Sequence, residues 1–166
     1  MTTMSGGCAC GAVRYRLSSE PTEPSICHCR MCQKAFGSYV APLASVPAAD
    51  LTWTRGEPGV FRSSEAVERG FCRDCGTPLT YNVVEQDKIS ISIGSLDDPD
   101  QVPPSLAYGL QGKRAVFAAL NALPGTRTED DTDPALMARL KSRQHPDHDT
   151  AVWPPCDLTP AVSSKP

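Results

Sequence analysis

The sequence predicts a mainly β fold of short antiparallel strands, with one short helix towards its C-terminal side. Three observations carry that expectation. There are 16 prolines and 12 glycines in 166 residues, a density of turn formers that suits short strands and argues against a helical bundle. Apolar and polar residues alternate with period two in several separate stretches, the pattern of half-buried strands. Most of the cysteines fall into tight groups: Cys8-Ala9-Cys10, Cys27-His28-Cys29-Arg30-Met31-Cys32 and Cys72-Arg73-Asp74-Cys75. Links between such groups would reinforce a core that this length makes sufficient but not generous.

Along the chain, Gly6-Gly7-Cys8-Ala9-Cys10-Gly11 is a glycine-flanked thiol pair whose backbone can turn tightly around a metal. Ala12 to Leu17 alternates and reads as a strand, and Ser18 to Ser25, with two prolines, as a loop. With Cys27 to Cys29 extended, Cys27 and Cys29 point one way and His28 the other. Gln33 to Ser38 leads into a strand from Tyr39 to Leu43. Leu51 to Arg55 and Val60 to Arg62, joined by Gly56-Glu57-Pro58-Gly59, are expected to pair as a hairpin. Val67 to Phe71 runs into Cys72-Arg73-Asp74-Cys75-Gly76, a knuckle-like turn in which Gly76 supplies a positive φ. Pro78 to Val84 and Lys88 to Ile93 form a second hairpin, with Ile89, Ile91 and Ile93 on the core face. Asp97 to Asp100 is expected to be a solvated acidic turn, Ser105 to Gly109 a further strand, and Lys113 to Leu123 a short helix or strand.

After Gly125 the composition becomes polar. The chain therefore divides into a domain over 5–125 and an extension over 126–166. Asp133-Pro134 reads as an N-cap followed by Pro at the first helical position, opening a helix over about 134–143. From Asp147 a loose tail is expected, with His145 and His148 solvated.

A net charge of −3 excludes a broad basic surface for nucleic acid or anionic membrane. No segment approaches the ~18 apolar residues of a membrane span. Met1 to Met4 shows no secretory signal, so a cytoplasmic location is expected. In that reducing compartment clustered cysteines bind metal or react more often than they form disulfides. Cys156 stands alone.

Structural zinc takes four ligands, whereas catalytic zinc commonly keeps three protein ligands and an open place. Seven clustered cysteines divide as four plus three, giving two zinc ions per chain. Spacing alone does not say which cysteines go together, although Cys27, Cys29 and Cys32 are compact enough to hold one ion by themselves. Three thiolates make zinc a poor activator of water and a better partner for a fourth, incoming sulfur. Arg30, Lys34 and Arg73 lie beside the ligands and could pair with substrate carboxylates. His28 reads as a packing or outer-sphere residue, with proton transfer as its functional alternative.

Gly7-Cys8-Ala9-Cys10-Gly11, Cys27-His28-Cys29-Arg30-Met31-Cys32-Gln33-Lys34 and Phe71-Cys72-Arg73-Asp74-Cys75-Gly76-Thr77-Pro78-Leu79 together resemble the glutathione-dependent formaldehyde-activating enzyme family, also called the centromere protein V domain. The resemblance implies a β-tent fold. It also implies a structural zinc on Cys8, Cys10, Cys72 and Cys75 and a catalytic zinc on Cys27, Cys29 and Cys32. The implied activity is that of a carbon–sulfur lyase on a small-molecule thiol adduct, joining glutathione and formaldehyde in the synthetic direction. Family members usually carry a His and a Trp before a Leu-Pro. Here that segment reads Tyr108 to Phe117 before Leu123-Pro124, with both replaced. The rival reading is a non-enzymatic zinc module that binds a protein partner. Whether the chain works as a monomer or a homodimer is left open.

Overall fold

A computed structural model describes residues 3–154. Ten strands form two sheets. The smaller joins β1 (Met4–Gly7), β2 (Arg14–Leu17) and β5 (Leu51–Arg55), in that order. The larger has seven strands in the order β10 (Leu106–Tyr108), β3 (Thr22–Cys27), β4 (Ala41–Pro47), β9 (Lys88–Ser92), β8 (Pro78–Val83), β7 (Val67–Phe71) and β6 (Gly59–Ser64). All pairings are antiparallel except β10 on β3, which is parallel.

The main core lies between the sheets. Tyr15 and Leu17 from β2 meet Val46, Leu79, Ile91 and Leu96, all buried. Each such side chain contributes ~1.5–3 kcal/mol. Tyr15 also takes Trp53 edge-on at 5.8 Å and pairs its hydroxyl with Ser95 at 2.8 Å, so the buried phenol is satisfied. Ile91 and Ile93 are buried as the alternation predicts, with Ile89 packed against them. A second cluster of Cys27, Cys32, Ala41 and Leu43 lies against Phe36 and Tyr81.

Several local expectations need correction. The hairpin expected across Gly56-Glu57-Pro58-Gly59 does not form. β5 pairs with β2, placing Trp53 opposite Tyr15, while Gly59 of β6 pairs with Phe71 of β7. The turn crosses between sheets because the aromatic pair decides where β5 goes. Ser18 to Ser25 is not wholly loop, since β3 begins at Thr22. A helix not anticipated, α1 (Arg30–Phe36), starts inside the central cysteine motif, is capped by Cys29, contains Cys32 and is closed by Gly37. Residues Ala115–Ala122 form tight 3₁₀ turns. A further unanticipated turn, α2, covers Thr128–Asp131. The late helix, α3, spans only Pro134–Met137 rather than 134–143. Its Asp133 cap is present, accepting the Ala135 amide at 2.9 Å, but Leu136 and Leu140 stay exposed and give longer helix nothing to bury against.

The tail is not loose up to residue 154, and Asp97 is not simply solvated. Arg14, 3% exposed, is gripped by Asp97 at 2.6 Å and by Asp149 at 2.8 Å. His145 is buried rather than solvated. Its amide donates to Ala9 O at 2.7 Å, its ring packs on Gly11, and its Nε2 lies 3.2 Å from Arg55. Trp153 Nε1 donates to Cys10 O at 2.8 Å. His148 is exposed as expected. Cys156 lies outside the described residues.

Candidate metal centres

Two cysteine groups gather their sulfurs within 4.8 Å: Cys8, Cys10, Cys72 and Cys75, and separately Cys27, Cys29 and Cys32. In the first group the Cys8–Cys10 and Cys10–Cys72 sulfurs are 3.5 and 3.7 Å apart. Tetrahedral zinc with ~2.3 Å bonds needs sulfurs about 3.8 Å apart, so the donor set fits that ion. Two similar turns build the group. The Cys8 amide donates to Val13 O and the Gly11 amide to Cys8 O; likewise the Cys72 amide donates to Thr77 O and the Gly76 amide to Cys72 O. Gly11 and Gly76 both have φ of 77°, a conformation that a side chain would strain. The turns also aim donors at sulfur, with the Val13 amide 3.2 Å from Cys8 Sγ. Burial pushes Cys72 up to about 11. At Cys75 burial is outweighed by hydrogen bonds from Thr77 and Cys10, and the thiol falls to about 6.

The three-cysteine group is assembled differently. Cys27 ends β3. Cys29 caps α1, its sulfur accepting the Cys32 amide at 3.4 Å, and Cys32 sits in the first helical turn on the same side. Arg69 of β7, 6% exposed, donates through Nη2 to Cys32 Sγ at 3.5 Å and lies 4.9 Å over the Tyr81 ring. Burial pushes Cys27 up to about 12 and also raises Cys32. Cys29 is lowered because hydrogen bonds from Cys32 and Cys27 outweigh its burial. Three thiols this close do not ionise together unaided. A divalent cation held there would supply the missing charge, and Arg69 would offset the single negative charge that remains.

The segment after β10 walls this centre. Tyr108 O accepts the His28 amide at 2.8 Å. Gly109 has φ of 65°, and a Cβ there would lie 3.5 Å from Cys27 Sγ and 3.0 Å from the Cys29 nitrogen. The His28 ring, 1% exposed, stands edge-on to Phe117 at 4.7 Å, and its nitrogens find no partner among the described residues. Burial, helped by Lys113, lowers the pKa of that ring below the ordinary histidine value.

Residues 3–110 match the family described as "Glutathione-dependent formaldehyde-activating enzyme". The chain belongs to this family. An uncharacterized lyase of Schizosaccharomyces pombe is 28% identical to this member over 81 residues, 49% of this chain and 58% of the relative. The chain thus matches little more than half the length of that relative. A crystal structure of a Rhodobacter sphaeroides protein shares the fold at TM-score 0.51 and 22% identity, covering 63% of this chain and 99% of that one. No helix among the described residues is long and apolar enough to cross a membrane.

In this family member the two cysteine groups form as the motifs imply. Arg30 and Lys34 line a hollow of about 970 Å³ together with Gln33, Tyr39, Arg114 and Val116. Arg73 is elsewhere, its side chain over Gly59 beside the four-cysteine group. Arg69, Tyr81, Gln33 and Arg114 escaped the sequence reading. A signal existed for Arg69: period two puts it on the same face as Val67 and Phe71, an odd place for an unpaired charge.

Proposed function

We propose that this chain is a zinc-dependent carbon–sulfur lyase for a thiol–aldehyde adduct, which in the synthetic direction joins glutathione and formaldehyde. One observation carries the reading. β3 and α1 bring three thiols together, and no fourth His, Cys, Asp or Glu joins them among the described residues. Family membership supports the same chemistry. Zinc held by Cys27, Cys29 and Cys32 would keep a place for the substrate sulfur and favour its thiolate.

The chain's own residues supply the rest. Arg69 steadies the Cys32 sulfur and balances the charge of the trio. In synthesis the sulfur adds to the aldehyde carbon while the carbonyl oxygen gains a proton. In lysis the carbon–sulfur bond breaks and that proton leaves. We assign the proton to Tyr81, which packs against the cluster of Cys27 and Cys32 with the Arg69 guanidinium over its ring. The His28 ring, enclosed against Phe117, holds the turn between β3 and α1 in place. The four-cysteine centre is structural in this reading, worth ~10–16 kcal/mol of apparent folding free energy when filled.

The test mixes metal-loaded protein with formaldehyde and several thiols and follows adduct exchange by NMR. Exchange faster than the spontaneous reaction is expected. Spontaneous rates with every thiol would refute the reading. The exposed edge strand β10, with Leu106 and Tyr108 in solvent, favours a non-enzymatic interaction module as the second reading. That alternative requires Cys29→Ser to keep function wherever the fold survives.

A further inference from the structure

Gln33 is 3% exposed and uses both ends of its amide. Its Nε2 donates to His28 O at 2.6 Å and to Gly112 O at 2.8 Å, tying the cysteine turn to the wall segment. Its Oε1 accepts from Arg114 Nε at 3.1 Å and from Arg30 Nη1 at 3.4 Å. One carbonyl oxygen therefore fixes two guanidinium groups that come from segments 84 positions apart in sequence, at Arg30 and Arg114. Both guanidiniums line the hollow of about 970 Å³, where Lys34 adds a third cation and, among the described residues, no acidic side chain lines the wall. Two like charges drawn together over one neutral acceptor repel each other, and an anion between them relieves that repulsion. Planar guanidiniums match carboxylates in paired geometry.

We infer that Gln33 is a positioning residue, holding Arg30 and Arg114 as a clamp for a carboxylate of the thiol substrate. The clamp is joined to the trio through the chain itself: Arg30 follows Cys29 directly, and Gln33 holds the carbonyl of His28, which lies between Cys27 and Cys29. Specificity then falls on thiols that carry an acid group, and Arg114 sets it from the segment where this chain departs from its family's usual residues. Arg73, beside the other centre, takes no part. This inference rests on the proposed lyase reading for its substrate, but not for its geometry.

The experiment uses two ligands. S-methylglutathione keeps the carboxylates and cannot offer a thiolate; its binding to full-length, metal-loaded protein is titrated by NMR or calorimetry. Exchange rates for glutathione and for uncharged 2-mercaptoethanol give the preference between acidic and neutral thiols. Gln33→Leu and Arg114→Ala are each expected to weaken S-methylglutathione about tenfold, and to cut the preference for glutathione by a similar factor through KM more than kcat. Arg114 is exposed, so its variant tests the clamp even should Gln33→Leu fail to fold. Unchanged binding and unchanged preference in Arg114→Ala would overturn the clamp. Arg114-dependent binding of S-methylglutathione without any exchange activity in the wild type would uphold the clamp and refute the lyase.

Discussion

Replacing Arg69 by Met removes a buried charge that touches the three-cysteine centre. The guanidinium is buried and stands 3.5 Å from Cys32 Sγ. At an effective dielectric of ~20, opposite unit charges at that separation attract by about 5 kcal/mol. Some of this is already spent on keeping the guanidinium out of water, a cost that Met relieves. Loss of an outer-sphere partner commonly weakens metal binding 10–100-fold. A net loss of about 2 kcal/mol, or roughly 30-fold in zinc affinity, is therefore expected at the three-cysteine centre. The four-cysteine centre should be untouched. The assay is competition with a graded series of chelators, with metal per chain counted by native mass spectrometry. Arg69→Lys keeps the charge without the planar fork and should recover part of the loss. An Arg69→Met protein that holds its second zinc within about threefold of wild type would refute the reasoning.

Three other outcomes follow from the same geometry. Cys29→Ser should bind one zinc in place of two and keep its fold by circular dichroism, whereas Cys75→Ser should give unfolded or insoluble protein. Burial alone would raise Asp97 and Asp149, but hydrogen bonds, chiefly from Arg14, outweigh it and hold both carboxyls below their usual range. The stability they lend is thus complete above the ordinary carboxylate pKa of about 3.9 and drains away as pH falls through the depressed values. In urea titrations Asp97→Asn should cost roughly 2–4 kcal/mol and the more exposed Asp149→Asn about 1 kcal/mol. The gap to wild type should stay constant from about pH 8 to 5 and close below about pH 4. His145→Ala should release the four-cysteine zinc several-fold faster to a chelator while leaving the three-cysteine zinc at its wild-type rate.

What the sequence revealed was local. Spacing exposed the three cysteine clusters, because a metal demands its donors close together, but which clusters share an ion came from the family resemblance and not from spacing. The hairpin of β8 and β9 was legible from alternation alone. Partner choice was not: the Tyr15–Trp53 contact sends β5 to the small sheet, and no period within 51–62 records it. The helix α1 was hidden because a thiol serves as its cap and only two of its residues are buried. His145 was misread because Arg55, which holds its ring, lies 90 positions away. Gln33 carries no chemistry of its own, and only the meeting of two distant segments, 28–30 and 112–114, on its amide gives it a role.

The segment around His145, Asp149 and Trp153 closes over the turn that holds Cys8 and Cys10. On a ribosome the first thiol pair emerges long before Cys72 and Cys75, and longer still before Asp149 arrives to share Arg14. A nascent polypeptide therefore carries its earliest metal turn uncovered for most of its synthesis. Arresting translation just short of Gln144 would leave that turn without the cover of His145 and Trp153, and its thiols should label faster than in the finished chain.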